Sequence, residues 1–319
     1  MYRYISLFVV VTLVMSCDKK DKLDIDVSTI DINVTVKRFD QDFYGPKGSN
    51  LSELKKEYPL LFPIQTPDSV WVAKMQDKDE QELFAETQKV YTDFSNEKEQ
   101  LTDLFKHVKY YYKTFKEPKV ITLLTNVDYD RKVIYADSLL LISLDVFLGK
   151  ESEIYQDFPE YIKQNFTKEH IAVAVAEELA RSEITRTKSR TFISRIIQQG
   201  KQLYMLDAFL PKVDDAHKIG YTQNQIDWSE VNDVDVWKYF VQNKLLFSTD
   251  QELSRRFIED APFSKFHLEN DNETPGRIGV WFGWQIVRAY MQHNDVSLQK
   301  MLRTDNEDVF KKSKYKPKK

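Results

Sequence analysis

Cysteine is almost missing from this chain: Cys17 is the only one in 319 residues. With Cys17 set aside, disulfides, cysteine zinc sites and cysteine nucleophiles are excluded, so an apolar core must supply the stability. Glycine is nearly as scarce. Eight glycines argue against propellers, solenoids and glycine-rich phosphate loops as the main architecture. The histidines, His107, His170, His217, His267 and His293, are scattered, and no two form a His-x-x-x-His pair. Strong charge of one sign is absent too. A net charge of −4 and a pI of about 5.9 give no nucleic-acid footprint. Beyond residue 17 no apolar run is long enough to span a bilayer; stretches such as Ser138–Leu148 are short and carry Asp145. No internal repeat and no linker interrupt residues 30–310, which reads as one domain.

The first residues do carry an address. Arg3 supplies a short positive start, Ile5–Met15 is an apolar run broken only by Ser6 and Thr12, and small Ser16 precedes Cys17. That order is a secretory signal, too short for a spanning helix. Because cleavage would fall just before a cysteine, Val14-Met15-Ser16-Cys17 resembles the lipobox of a bacterial lipoprotein. The expectation is a signal peptide over 1–16, diacylation of the Cys17 thiol, cleavage, and acylation of the new amine. Several acyl chains, at ~0.8 kcal/mol per buried CH₂, hold a protein stably on a membrane. The expected location is therefore the cell envelope, with the lipid anchor holding the chain on a bacterial membrane. Residues 17–29, charged and without an apolar period, read as the lipidated tether. Residues 311–319 hold six lysines and read as a basic disordered tail.

Between these ends the apolar spacing changes character. Asp31–Lys37 alternates Ile32, Val34 and Val36 with polar residues, which predicts a half-buried strand. Leu51–Tyr58, Asp68–Met75 and Asp79–Lys106 are helical in period, the last with a break near Ser95. Lys119–Thr125, Lys132–Tyr135 and Leu139–Val146 are rich in Val, Ile and Leu and read as strands. From Tyr155 onward the pattern is helical, most clearly over Lys168–Ile184, Thr191–Phe209, Val231–Leu246 and Arg277–Gln292. The fold class is therefore α+β: a mostly helical single domain with a small central β-sheet.

Three stretches carry possible chemistry. Asn126-Val-Asp128-Tyr-Asp130, with Asp137, superficially suits a calcium loop, but Arg131 stands where the sharp turn needs glycine, so a polar turn between strands is the better account. The helix around Ala176-Glu177-Glu178-Leu179-Ala180 has the frame of a zincin helix, in which two histidines one turn apart grip zinc and the glutamate is the base. Here Ala176 and Ala180 replace both histidines, Glu177 keeps the acid, and Gln199 stands where such proteases often carry glutamate. A methyl group cannot ligate zinc. The four positions mark either a vestigial cleft in a zincin-like frame without its metal site, or simply a small-residue packing face; both exclude hydrolysis. The third stretch is Asp271–Tyr290. Thr274-Pro275 reads as a helix N-terminus, and Gly279 and Gly283 lie on one face where another backbone can approach. Arg277 and Arg288 could face a cleft and hold an acidic group.

The segments Val36–Asp40, Glu57–Pro63, Pro67–Trp71, Phe105–Tyr111, Val133–Asp145, Gly200–Tyr204, Lys218–Thr222, Ala261–Phe266 and Pro275–Gly279 together resemble the gliding-motility lipoprotein GldB family. The resemblance spans nearly the whole chain, and the lipobox fits it. It implies a membrane-anchored component required for gliding, working with other motility lipoproteins and with type IX secretion components. It implies no enzymatic activity, no cofactor, no metal, no small-molecule substrate and no catalytic residues to carry over. On this account Tyr110–Tyr112 and Trp71 are candidate contact residues. The competing expectation is a degenerate zincin-like hydrolase or peptide-binding module, with Leu139–Val146 as a substrate-pairing edge.

Overall fold

A computed structural model of the chain describes residues 22–136, 138–184 and 187–317. The signal segment, Cys17, the first part of the tether and Asp137 lie outside the described residues. Strand β1 (Val36–Arg38) leads into five helices: α1 (Phe39–Tyr44), α2 (Leu51–Glu57), α3 (Asp68–Gln76), α4 (Lys78–Val90) and α5 (Ser95–Tyr111). Strands β2 (Lys119–Leu123), β3 (Val133–Ala136) and β4 (Leu139–Ser143) follow. The rest is helical: α6 (Glu160–Lys163), α7 (Ile171–Glu183), α8 (Phe192–Phe209), α9 (Asp215–Ile219), α10 (Gln223–Val231), α11 (Asp233–Gln242), α12 (Glu252–Phe257), α13 (Ile278–His293), α14 (Leu298–Arg303) and α15 (Asn306–Ser313). The mostly helical α+β class is thus what the chain adopts.

The sheet has the order β1-β2-β4-β3. β1, β2 and β4 run parallel, with Val36 opposite Val120 and Val120 opposite Leu140; β3 returns antiparallel, with Ile134 opposite Leu141. Val120, Leu140 and Ile142 are fully buried. Helix α7 packs against β3, α5 and α8 and so joins the sheet to the helical body. The centre of that body is the α8–α13 pair, flanked by α15. It is fully lined by Ile193, Ile196, Ile197, Phe282, Trp284 and Ile286.

Several boundaries differ from expectation for local reasons. The strand expected over 31–37 pairs only over Val36–Arg38, although Ile32 and Val34 are buried as the alternation requires. The helix expected over 231–246 is shorter, α11 alone over Asp233–Gln242. Asn232 Nδ2 donates to Trp228 O and closes α10, and Lys244 in the left-handed region (φ 57) ends α11, returning Leu246 to the core. Thr274 does not cap α13; its hydroxyl donates to Ser264 O, and the Ser264 hydroxyl accepts from Ile278 N at 3.1 Å. β4 is no edge, because β2 and β3 cover both its sides. A peptide could not extend the sheet there.

Both ends of the body are more ordered than composition suggested. In the tether, Val27 is buried and Lys22 Nζ donates to Met291 O (3.2 Å) and Asn294 O (2.8 Å). In the basic tail, Lys311 and Lys312 belong to α15, Ser313 is buried, and Tyr315 Oη donates to Asp233 at 2.6 Å beside Trp237. Apolar Val27, Val309 and Tyr315 outweigh the surrounding charge. Among the described residues, no helix is long and apolar enough to cross a membrane.

Candidate functional site

Asp207 occupies the last turn of α8, where a carboxylate faces the negative end of the helix and needs compensation. Compensation comes from three directions. Lys218 Nζ of α9 donates to it at 3.0 Å, Trp284 Nε1 of α13 at 2.8 Å, and Arg288 through Nε (2.8 Å) and Nη2 (2.7 Å). Arg288 also grips Asp215 with Nη1 (2.5 Å) and Nη2 (2.8 Å), and its guanidinium lies 3.7 Å from the Trp284 ring centre. Burial opposes the charge on Asp215, but Arg288 and Lys218 hold its carboxyl below the usual range.

Two carboxylates meet two cations, so the cluster is electrically closed. It ties α8, α9 and α13 together at one wall of a groove of about 800 Å³. His107, Tyr204, Lys212 and the tether residues Lys22–Ile25 complete that wall. His107 donates its Nδ1 proton to Asp103 O at 2.8 Å. Arg288, expected to hold an acidic group in a cleft, holds two acids of its own chain. Arg277 likewise reaches Asp260 at 3.3 Å. Sequence reasoning missed Asp207, Asp215 and Lys218. The available signal was a lone acid inside the apolar stretch Leu203–Phe209.

The zincin-frame residues fall as follows. Ala176 and Ala180 are fully enclosed in the core, whereas Glu177 on α7 and Gln199 on α8 are half-buried. Glu178 pairs with Arg181 at 3.1 Å. Among the described residues no group of three or more His, Cys, Asp or Glu is placed to hold a metal ion. In the stretch considered for calcium, Asp128 is engaged by Arg131 Nε at 2.8 Å. Of the aromatic candidates, Tyr110 is 37% exposed, while Trp71 packs edge-on against Phe62 and Phe43.

A second polar cluster lies at the carboxyl ends of the parallel strands. Asp145 is fully buried, and its carboxylate accepts from Thr125 N (3.0 Å) and Val127 N (2.7 Å). These bonds hold Asn126 and Val127 at φ 58, a conformation costly for β-branched valine. Asn126 Nδ2 in turn donates to Glu80 at 3.1 Å, which Lys74 and Tyr44 also engage. Burial pushes the Asp145 carboxyl up from 3.8 to about 6, against the two backbone donors. Between those values the folded chain holds the proton more tightly than the unfolded chain. The resulting stability is complete below about pH 4 and lost as pH rises through about 6, a span of about 3 kcal/mol. Asp145→Asn, neutral throughout, should therefore gain about 3 kcal/mol relative to wild type between pH 4 and pH 7 in urea unfolding. A difference that stays constant across that range would refute the assignment.

No curated protein and no solved structure matches the chain. The family described as gliding motility protein GldB matches it over residues 20–317, which takes in the sheet, the α8–α13 pair and the Asp207 cluster. The chain therefore belongs to the GldB family of gliding motility proteins.

Proposed function

We propose that this chain is a lipid-anchored interaction protein of the cell envelope. It supports assembly or stability of the gliding and type IX secretion machinery through protein–protein contacts rather than through catalysis. The observation that carries the reading is the family match over residues 20–317, together with the Val14–Cys17 lipobox just ahead of it. The self-neutralised Asp207–Arg288 cluster agrees with a structural role, since its charges are met by partners of the same chain.

The test is a gene deletion filmed as single cells on glass, with plasmids restoring wild type, Cys17→Ser or Glu177→Ala. The deletion should abolish gliding, and wild type should restore it. Cys17→Ser should leave the membrane fraction and fail to restore movement, whereas Glu177→Ala should restore it fully. Normal gliding in the deletion strain would overturn the motility role. Failure of Glu177→Ala at normal protein level would turn attention to the α7 surface as a functional cleft.

A further inference from the structure

The tether does not leave the body at an arbitrary point. Lys22 Nζ is held by the carbonyls of Met291 and Asn294, where the last turn of α13 presents its negative end. Asn294 Nδ2 donates onward to Lys312 O at 3.0 Å, so the end of α15 sits beside the same spot. On the other side, Lys22 and Leu23 share a groove with Tyr110, Lys113 and Gln299, and Gln299 is bonded to Tyr111 O at 2.7 Å. The ends of α5, α13 and α15 and the start of α14 thus form one face around the tether.

Lys22 stands five chain steps from Cys17. Fully extended, they reach at most about 18 Å. That is shorter than the body is wide, because α13 alone runs for 16 residues at about 1.5 Å each. A lipid on Cys17 therefore keeps this face within reach of the bilayer.

The chemistry of the face suits that position. Lys113, Lys311 and Lys312 are exposed, whereas the Lys22 ammonium, held by the two carbonyls, also pairs with Asp295 at 3.4 Å; Asp24 is exposed as well. Tyr110 is exposed, with Lys113 Nζ 4.7 Å from its ring centre. A tyrosine with adjoining lysines is the pairing that settles at headgroup level, the ring in the interface and the ammonium groups against phosphate.

We propose that this face docks on the membrane surface, with its lysines against anionic lipid headgroups. The inference rests on the lipidation of Cys17 in the function proposed above.

The test uses full-length lipidated protein in vesicles containing a headgroup-bound nitroxide quencher. Cys17 is occupied by lipid, so one added cysteine can carry a fluorophore: Thr114→Cys on the face, or Ile64→Cys, a 97% exposed control position on the loop before α3. Mass spectrometry of the N-terminal residue comes first. Absence of acyl chains there would sink the lipoprotein reading itself. With the chains present, quenching at 114 but not at 64 is expected; equal quenching at both sites, or none at 114, would overturn the docked face alone. Vesicles with phosphatidylglycerol should quench position 114 more than pure phosphatidylcholine. The pair Lys113→Gln and Lys312→Gln should shrink that difference, lowering the docked-to-free ratio about 25-fold, since each lysine is worth about fivefold at an anionic surface. Quenching that ignores lipid charge in the unaltered protein would overturn the headgroup contact.

Discussion

Gly283→Ala is expected to cost about 4 kcal/mol or more, enough to remove a large part of the stability of a domain of this kind. At their contact α8 and α13 leave no room for a side chain. A Cβ on Gly283 would lie 1.8 Å from Ile196 O and 2.4 Å from its carbonyl carbon. A Cβ on Gly200 would lie 2.2 Å from Gly283 C. The obstructing atoms are backbone, so no rotamer change relieves the clash and the helices must separate. Separation opens gaps along a seam lined by fully buried Ile196, Ile197, Phe282 and Trp284. Alanine's better helix propensity returns only about 1 kcal/mol. Gly279→Ala should be milder, since its nearest obstacles are Phe257 O at 2.8 Å and a methyl of Ile196 at 3.0 Å. Urea or guanidinium unfolding ranks the two. A Gly283→Ala protein within about 1 kcal/mol of wild type would mean the backbones are not in contact.

Asp207→Ala should cost about 3–5 kcal/mol, the usual penalty for leaving a buried partner charge uncompensated. Asp207 and Lys218 are 3% and 5% exposed as side chains. Removing the carboxylate strands the Trp284 indole N–H and two donors of Arg288, and leaves the buried Lys218 ammonium only Asp215 at 4.0 Å. Asp215→Ala is the matched control. Its carboxylate is 42% exposed, water can replace it, and the expected loss is about 1 kcal/mol or less. Equal losses for the two variants would show that Arg288 is solvated and that the cluster does not organise the junction of α8, α9 and α13.

The sequence carried the architecture where apolar period is local. β2, β3, β4, α8 and α13 all lie within a few residues of their expected bounds, because their patterns depend only on which face is buried. Gly279 and Gly283 were legible as a close-packing face for the same reason, four residues being one helical turn. Their partner Gly200 was not, since nothing local marks which helix comes to meet them. The charge cluster was less legible still. Arg288 was visible as a cation without a target, and its acids stand 73 and 81 positions away along the chain. Lysine-rich 311–319 misled in the other direction: composition favoured disorder, but Tyr315 found a pocket beside Trp237.

Val36 meets Val120 only after α1 to α5 have been made and turned back on themselves. The receiving surface of α8 waits longer, until α13 emerges. Contacts so distant cost loop entropy before they contribute stability, so this chain should fold more slowly than a bundle of neighbouring helices. A chain halted before Ile278 would present Ile196 and Ile197, buried in the finished fold, to other unfinished chains. Intermediates of that kind aggregate. The α8–α13 seam is therefore the place where an interrupted or truncated chain would be most in need of a chaperone.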